Sequence, residues 1–165
     1  MSQQNIDKQA LVTIIINELK QELNQAISAA NEAHSAAVDD QSVAETQYDT
    51  LAIEASYLAE GQSRRVHKLQ TAINDYQGLN LLDFDESRAI ALTALVQLSK
   101  DCQNQHWFFI GPAAGGFRCT FPKQHITVIT PQSPMGIALL DKFQEDDIDI
   151  KLGNNHLNDY IAVVQ

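Results

Sequence analysis

From Val12 onward, apolar residues recur at alternating spacings of four and three: Val12, Ile16, Leu19, Leu23, Ala26, Ala30, Ala33 and Ala37. This is the a/d seam of a coiled-coil helix, and it tapers from large side chains to alanine. A second seam runs through Ala44, Tyr48, Leu51, Ala55 and Leu58, passes the polar Gln62, and continues at Val66, Leu69, Ile73 and Tyr76. The two spacings of four around Gln62 predict a stutter that locally unwinds a supercoil. No glycine precedes Gly61 and no proline precedes Pro112, so nothing in the backbone chemistry interrupts either helix early. Two seams of similar length, separated by VDDQSVAE at 38–45, predict an antiparallel helical hairpin over residues 1–77. At 1.5 Å per residue, each arm would be about 50 Å long.

GLNLLDFDES, residues 78–87, loses the heptad pattern and reads as a linker. Beyond it the period shortens. ALTALVQL (91–98), HWFFIGP (106–112), GFRCTF (116–121), HITVITP (125–131), DIDIKL (147–152) and HLNDYIAVVQ (156–165) read as strands separated by Gly, Pro or Asn. SPMGIALLDKF, 133–143, reads as a short helix with Ser133 as N-cap and Pro134 at its first position. The expected class is α+β: a helical hairpin, then a small antiparallel sheet domain with one short helix over residues 88–165. GPAAGG, 111–116, lies between two strands without a following Lys-Ser/Thr, and reads as a hairpin turn rather than a phosphate loop.

Charge narrows the partner. The 165 residues carry a formal net charge of −10. Such a chain is repelled by the phosphates of free nucleic acid, so autonomous DNA binding is not expected. A partner with a basic surface, or one that holds metal ions, suits it better. No apolar run approaches the roughly 20 residues of a membrane span, and MSQQNIDKQA lacks the charged-then-apolar order of a secretory signal. The two cysteines, Cys102 and Cys119, are too few for a disulfide scaffold and read as reduced thiols of a cytoplasmic protein.

Three clusters carry candidate chemistry. At the turn of the hairpin, Asp39, Asp40 and Glu45 are hard oxygen ligands suited to Mg²⁺. They are too few to hold an ion alone, but could complete the shell of one held by a partner. The same residues also fit turn and capping chemistry, with Ser42 and Glu45 spaced as a capping box. Arg64, Arg65 and Lys68 form the one dense basic cluster, a candidate contact to RNA or to a partner; Glu60, four residues before Arg64, offers an intrahelical ion pair instead. Cys102, His106, Cys119 and His125 have a zinc-like composition without the tight C-x2-C spacing, so no metal centre is expected from them. No G-x-S-x-G elbow occurs, and the protein is not expected to be an enzyme.

The arrangement resembles the Gre family of bacterial transcript-cleavage factors. SPMGIALLDKFQEDDIDIKL, 133–152, looks like that family's C-terminal signature, and AETQYDTLAIEASYLAEGQSRR is similar to its second coiled-coil arm. The resemblance implies an FKBP-like fold for residues 88–165. It also implies a role as a transcription elongation regulator that docks on RNA polymerase and inserts the hairpin into the secondary channel. Ser133, Pro134, Met135, Gly136 and Ile137 would form the docking surface. Asp39, Asp40 and Glu45 would reach the polymerase's catalytic Mg²⁺, close to nascent RNA. Active members of the family carry Asp, two residues, then Glu at the tip. Here Val43 stands where Glu would follow Asp40, and the nearest acid is Glu45. The expected effect is therefore modulation of backtracking or transcript cleavage, in either direction. An adaptor that assembles proteins through its coiled coil is the competing expectation. The isomerase activity of FKBP-like domains is not expected, because fold does not carry function.

Overall fold

The computed structural model describes residues 5–40 and 49–165. Helix α1 spans Lys8–Asp40 and α2 spans Asp49–Gln77. Asp7 caps α1: its Oδ1 accepts the backbone N–H of Ala10 at 3.0 Å, and its carbonyl accepts that of Leu11. By contact clustering the chain falls into two compact units. One is Ile16–Gln77; the other joins the segment up to Ile15 with Gly78–Gln165.

In the helical unit, Arg65 reaches across to Glu22, with Nη2 and Oε2 3.8 Å apart. The two residues stand at similar chain distances from residues 41–48, so α1 and α2 run antiparallel, as the paired seams predicted. On α1 the buried seam residues include Leu19, Ala26 and Ala33. On α2 the expected stutter does not occur. Leu58 is 58 % exposed and Ala59 is turned inward instead. The seam then reads Ala59, Gln62, Val66, Leu69, Ile73 and Tyr76, with unbroken spacings of three and four. A small residue was chosen over a large one because the alanine-rich stretch of α1 implies a close approach there. Gly61 is exposed, and a Cβ at that position would meet nothing within 4 Å.

The second unit is built on six strands: β1 Leu95–Leu98, β2 His106–Ile110, β3 Arg118–Phe121, β4 Gln124–Ile129, β5 Asp147–Leu152 and β6 Asn155–Val164. Their order across the sheet is β3-β4-β2-β1-β6-β5. The α+β class is confirmed, but the sheet is mixed rather than purely antiparallel. β2 and β4 run parallel, with His106 beside His125 and Ile110 beside Ile129. GPAAGG is consequently not a hairpin turn. It carries the chain from β2 past the β4 position to the edge strand β3, which then turns back on β4. The turn between β5 and β6 is as expected: Gly153, at φ 60°, joins them in a two-residue loop.

Helix α3, Pro134–Leu139, buries Leu139 in a core with Val96, Leu98, Ile110, Ile148, Ile150 and Ile161. The segment that reads as a linker is part of this core. Phe84 is buried in it, Leu82 packs against it, and the Leu82 N–H donates to Thr93 Oγ1 at 3.1 Å. Lys8 Nζ and the Arg88 guanidinium lie 4.9 and 5.1 Å from the Phe84 ring centroid. The expected strand 91–98 is shortened to β1 because Thr93 adopts φ 76°, outside any strand conformation.

Candidate functional site

The four groups of residues singled out from the sequence lie on separate elements, and the structure treats each differently. Asp39 and Asp40 belong to the last turn of α1 by backbone geometry. Their side chains and the whole of Glu45 lie outside the described residues.

The basic cluster lies along α2. Arg64 pairs with Glu60 at 2.5 Å, the partner that the four-residue spacing offers, and Arg65 with Glu22 at 3.8 Å. All four side chains are substantially exposed, so each pair contributes at most about 1 kcal/mol and can be exchanged for another anion. Lys68 is exposed one turn beyond Arg64.

The turn into α3 is the most tightly specified of the four. Ser133 takes an extended conformation, and its hydroxyl serves both directions at once. Oγ accepts the Gly136 N–H at 3.0 Å and donates to the Thr130 carbonyl at 2.8 Å. Pro134 at the first helical position has no N–H to leave unpaired. Gly136 is buried where a Cβ would fall 2.0 Å from the Thr130 carbonyl oxygen, so only glycine lets the helix start approach β4's end this closely. Met135 is half-buried and packs on the core. Ile137 is the outlier: 67 % of it faces solvent, although Gly136 beside it and Leu139 on the same short helix are buried. Of the five expected docking residues, Ser133 and Gly136 thus build the turn, Met135 anchors it, and Pro134 and Ile137 are presented outward. Phe143, just beyond α3, is a further exposed apolar side chain.

The four residues of zinc-like composition do not converge. Cys119 stands opposite Ile126 on β4, whereas His125 stands opposite Thr120, so the two project from opposite faces of the sheet. The Cys102 thiol lies 3.4 Å from the Leu98 carbonyl. Both thiols are pushed up from the usual range. For Cys102 the cause is burial, followed by the carboxylates of Asp101 and Asp159; for Cys119 it is burial alone. Among the described residues, no group of three or more His, Cys, Asp or Glu side chains could hold a metal ion. No helix there is long and apolar enough to cross a membrane.

Sequence reasoning missed Gly136 as a steric requirement, Thr93 as a strained donor-binding position, and Phe84 as core. The one available signal was the pair of large apolar residues Leu82 and Phe84 within a stretch otherwise read as a spacer.

No protein-family model matches the chain, and no curated protein matches it. Among solved structures, the chain is similar to the transcription factor Gfh1, at 18 % identity and a TM-score of 0.35, over 90 % of this chain and 92 % of that one. It is also similar to the GreA factor homolog 1 (Gfh1) protein of Thermus thermophilus, at 15 % identity and a TM-score of 0.36, over 91 % and 94 % of the two chains. Thermus aquaticus Gfh1 is likewise similar, at 16 % identity and a TM-score of 0.36, over 90 % and 92 %.

Proposed function

We propose that the protein is a transcription elongation regulator that binds RNA polymerase and is not itself an enzyme. The β domain docks through the outward side of the 133–137 turn, and the helix pair enters the secondary channel with Asp39, Asp40 and Glu45 leading. There the acids approach the catalytic Mg²⁺ and nascent RNA, and modulate backtracking or transcript cleavage. The protein would act in the cytoplasm, where the polymerase is.

The observation that carries this reading is the turn into α3. Its sequence is the part of the chain that most resembles the Gre signature. The fold spends a buried glycine, a doubly bonded serine and a proline to hold it, and leaves Ile137 exposed at its surface. An exposed isoleucine on a rigid turn is the kind of anchor that an interface buries.

The test has two parts. Purified RNA polymerase is first titrated with wild-type protein and with Ile137→Asp. Met135 is a poor probe because it supports the core, whereas Ile137 is free to change without unfolding the domain. Binding by wild type and loss of at least about tenfold in Ile137→Asp is the expected result; equal binding by both removes the surface. Transcript cleavage and elongation are then followed on a backtracked complex at several Mg²⁺ concentrations, with wild type against Asp40→Asn/Glu45→Gln. If the acids act on the metal, the double substitution abolishes the effect and leaves binding intact. An undiminished effect would mean that the helices act by obstruction alone. Absence of any polymerase binding would favour the assembly-adaptor reading.

A further inference from the structure

Between Cys102 and Leu140 the chain contains no Asp or Glu, although the protein has 21 acidic residues and a net charge of −10. The titratable bases in that stretch are His106, Arg118, Lys123 and His125. The fold places Arg118, His125 and His106 on the neighbouring strands β3, β4 and β2 at one end of the sheet, and Lys123 in the turn between β3 and β4. The register is specific. His106 on β2 is level with His125 on β4, and Phe108 with Thr127. Across the other ladder, Thr120 is level with His125 and Arg118 with Thr127. Level residues project from the same face of a sheet. One face therefore carries His106, Phe108, Arg118, Thr120, His125 and Thr127 together.

That face is only half covered. Further along the same strands and on the same side, Ile110 and Ile129 are buried in the core with Leu139 of α3. The other end is open. Arg118, Thr120 and His125 are exposed there, while His106 and Thr127 are half-buried. His106, Arg118, Thr120, His125 and Thr127, with Cys119 and Ile126 between them in the chain, line a cavity of about 320 Å³, at the small end of the range for ligand sites. Its polar groups are held in place. His106 Nε2 is 2.9 Å from Thr127 Oγ1, and His125 Nδ1 is 3.4 Å from Thr120 Oγ1. The His106 ring stands edge-on to Phe108, with centroids 4.6 Å apart. Asp101 lies beside it, with Oδ1 3.6 Å from His106 Nδ1.

We propose that this face is a binding site for a phosphoryl group carried by a small phosphorylated ligand. The Arg118 guanidinium, the His125 imidazole and the Thr120 and Thr127 hydroxyls approach from two strands with hydrogen-bond donors, while both ring nitrogens of His106 are engaged, one by Asp101 and one by Thr127. A tetrahedral oxyanion offers acceptors in enough directions to use them together, which a planar carboxylate does not. The long-range field of an acidic protein opposes anions, so an anion site on it needs local positive charge without competing acids. The acid-free stretch supplies that condition around Arg118, Thr120 and His125, and the neighbouring acid Asp101 is engaged with His106. The inference is independent of the polymerase reading, since none of these residues lies in the 133–137 turn, on α1 or on α2.

Pyrophosphate is the probe, titrated into the full chain and followed by amide chemical shifts and calorimetry. The expected result is saturable binding, with shifts centred on His106, Arg118, Thr120, His125 and Thr127. Arg118→Gln and His125→Gln should each weaken it by at least about tenfold, the loss of one charge-assisted hydrogen bond. Both positions are exposed, so the variants should keep the wild-type circular dichroism spectrum. Lys20→Gln, at an exposed position on α1, should bind as wild type does. Absence of saturation at millimolar pyrophosphate overturns the proposal, as do shifts centred on α2 or unchanged affinity in Arg118→Gln. A short oligonucleotide with and without a 5′-phosphate forms the second arm. Preference for the phosphorylated strand supports a site for a terminal phosphoryl group and assigns its source to a nucleic-acid end. Tight, Arg118-dependent binding of both strands alike would overturn the proposal in favour of a contact to the phosphodiester backbone.

Discussion

Gly136 approaches the carbonyl oxygen of Thr130 so closely that a methyl group on its Cα would lie 2.0 Å from that oxygen. The obstacle is backbone at the end of β4, which cannot rotate away as a side chain would. Gly136→Ala must therefore displace the start of α3 from the sheet, at a cost of about 3 kcal/mol. Ser133→Ala should cost about 1 kcal/mol through loss of the cap alone. Urea denaturation of the two single variants checks the order, with Gly136→Ala the more damaging.

The inward turn of Ala59 leaves two correctable defects on α2. Gly61 is exposed, with open space where its Cβ would be, and Gly61→Ala should stabilise the helix by about 1 kcal/mol. Gln62 faces the seam, and its Oε1 is enclosed without a hydrogen-bond partner among the described residues. Gln62→Leu should also stabilise, by about 1 kcal/mol, since it removes an unpaired acceptor and adds apolar contact. A rise in thermal midpoint for each substitution is the expected reading. A fall for Gln62→Leu would show that the oxygen has a partner in solution.

Lys8 is held against Phe84, and burial lowers its pKa from 10.5 to about 8; Asp83 opposes the shift and Arg88 adds to it. Below about pH 8 the lysine is charged in both folded and unfolded chains, and its burial weakens the fold. Between about 8 and 10.5 the unfolded chain binds more protons than the folded one, so this group's contribution to stability rises with pH. The side chain is partly exposed, which makes the effect small. Urea midpoints of wild type and Lys8→Met from pH 7.5 to 10.5 should converge or diverge in that direction, with the wild type gaining on the variant as pH rises.

Thr93 combines a φ of 76°, costly for a β-branched residue, with a hydroxyl that accepts the Leu82 N–H. Thr93→Ala should destabilise by about 1–3 kcal/mol, because it strands a partly buried donor. Thr93→Ser keeps the acceptor without the β-branch and should cost less. Equal losses in the two variants would show that the methyl, rather than the hydrogen bond, matters.

These positions also mark where the amino-acid order is informative. The two helices were legible because their seams repeat over many turns, and the period itself encodes which side is buried. The choice of Ala59 over Leu58 was not, because it depends on how closely a partner helix approaches. Each strand had a local signature, but the parallel pairing of β2 with β4 had none. Alternation tells a strand which face to bury and does not name its neighbour. The α3 turn was legible as Ser-Pro with a following glycine, whereas the steric need for that glycine appears only once Thr130 lies beneath it. The face that carries Arg118, His106 and His125 was written in the chain as an absence of acids from 102–140, a signal that gains meaning when three strands place those residues side by side.

The strand order also sets a timetable. β3–β4 and β5–β6 join neighbours in the chain through two-residue turns, and such hairpins form in microseconds. β1 sits between β2 and β6, and its pairing with β6 joins Val96 to Val164 across most of the domain. Closing so long a loop is the entropically expensive step. Two early hairpins therefore wait on one late central seam, and substitutions such as Val96→Ala should slow folding more than equally destabilising ones in β5.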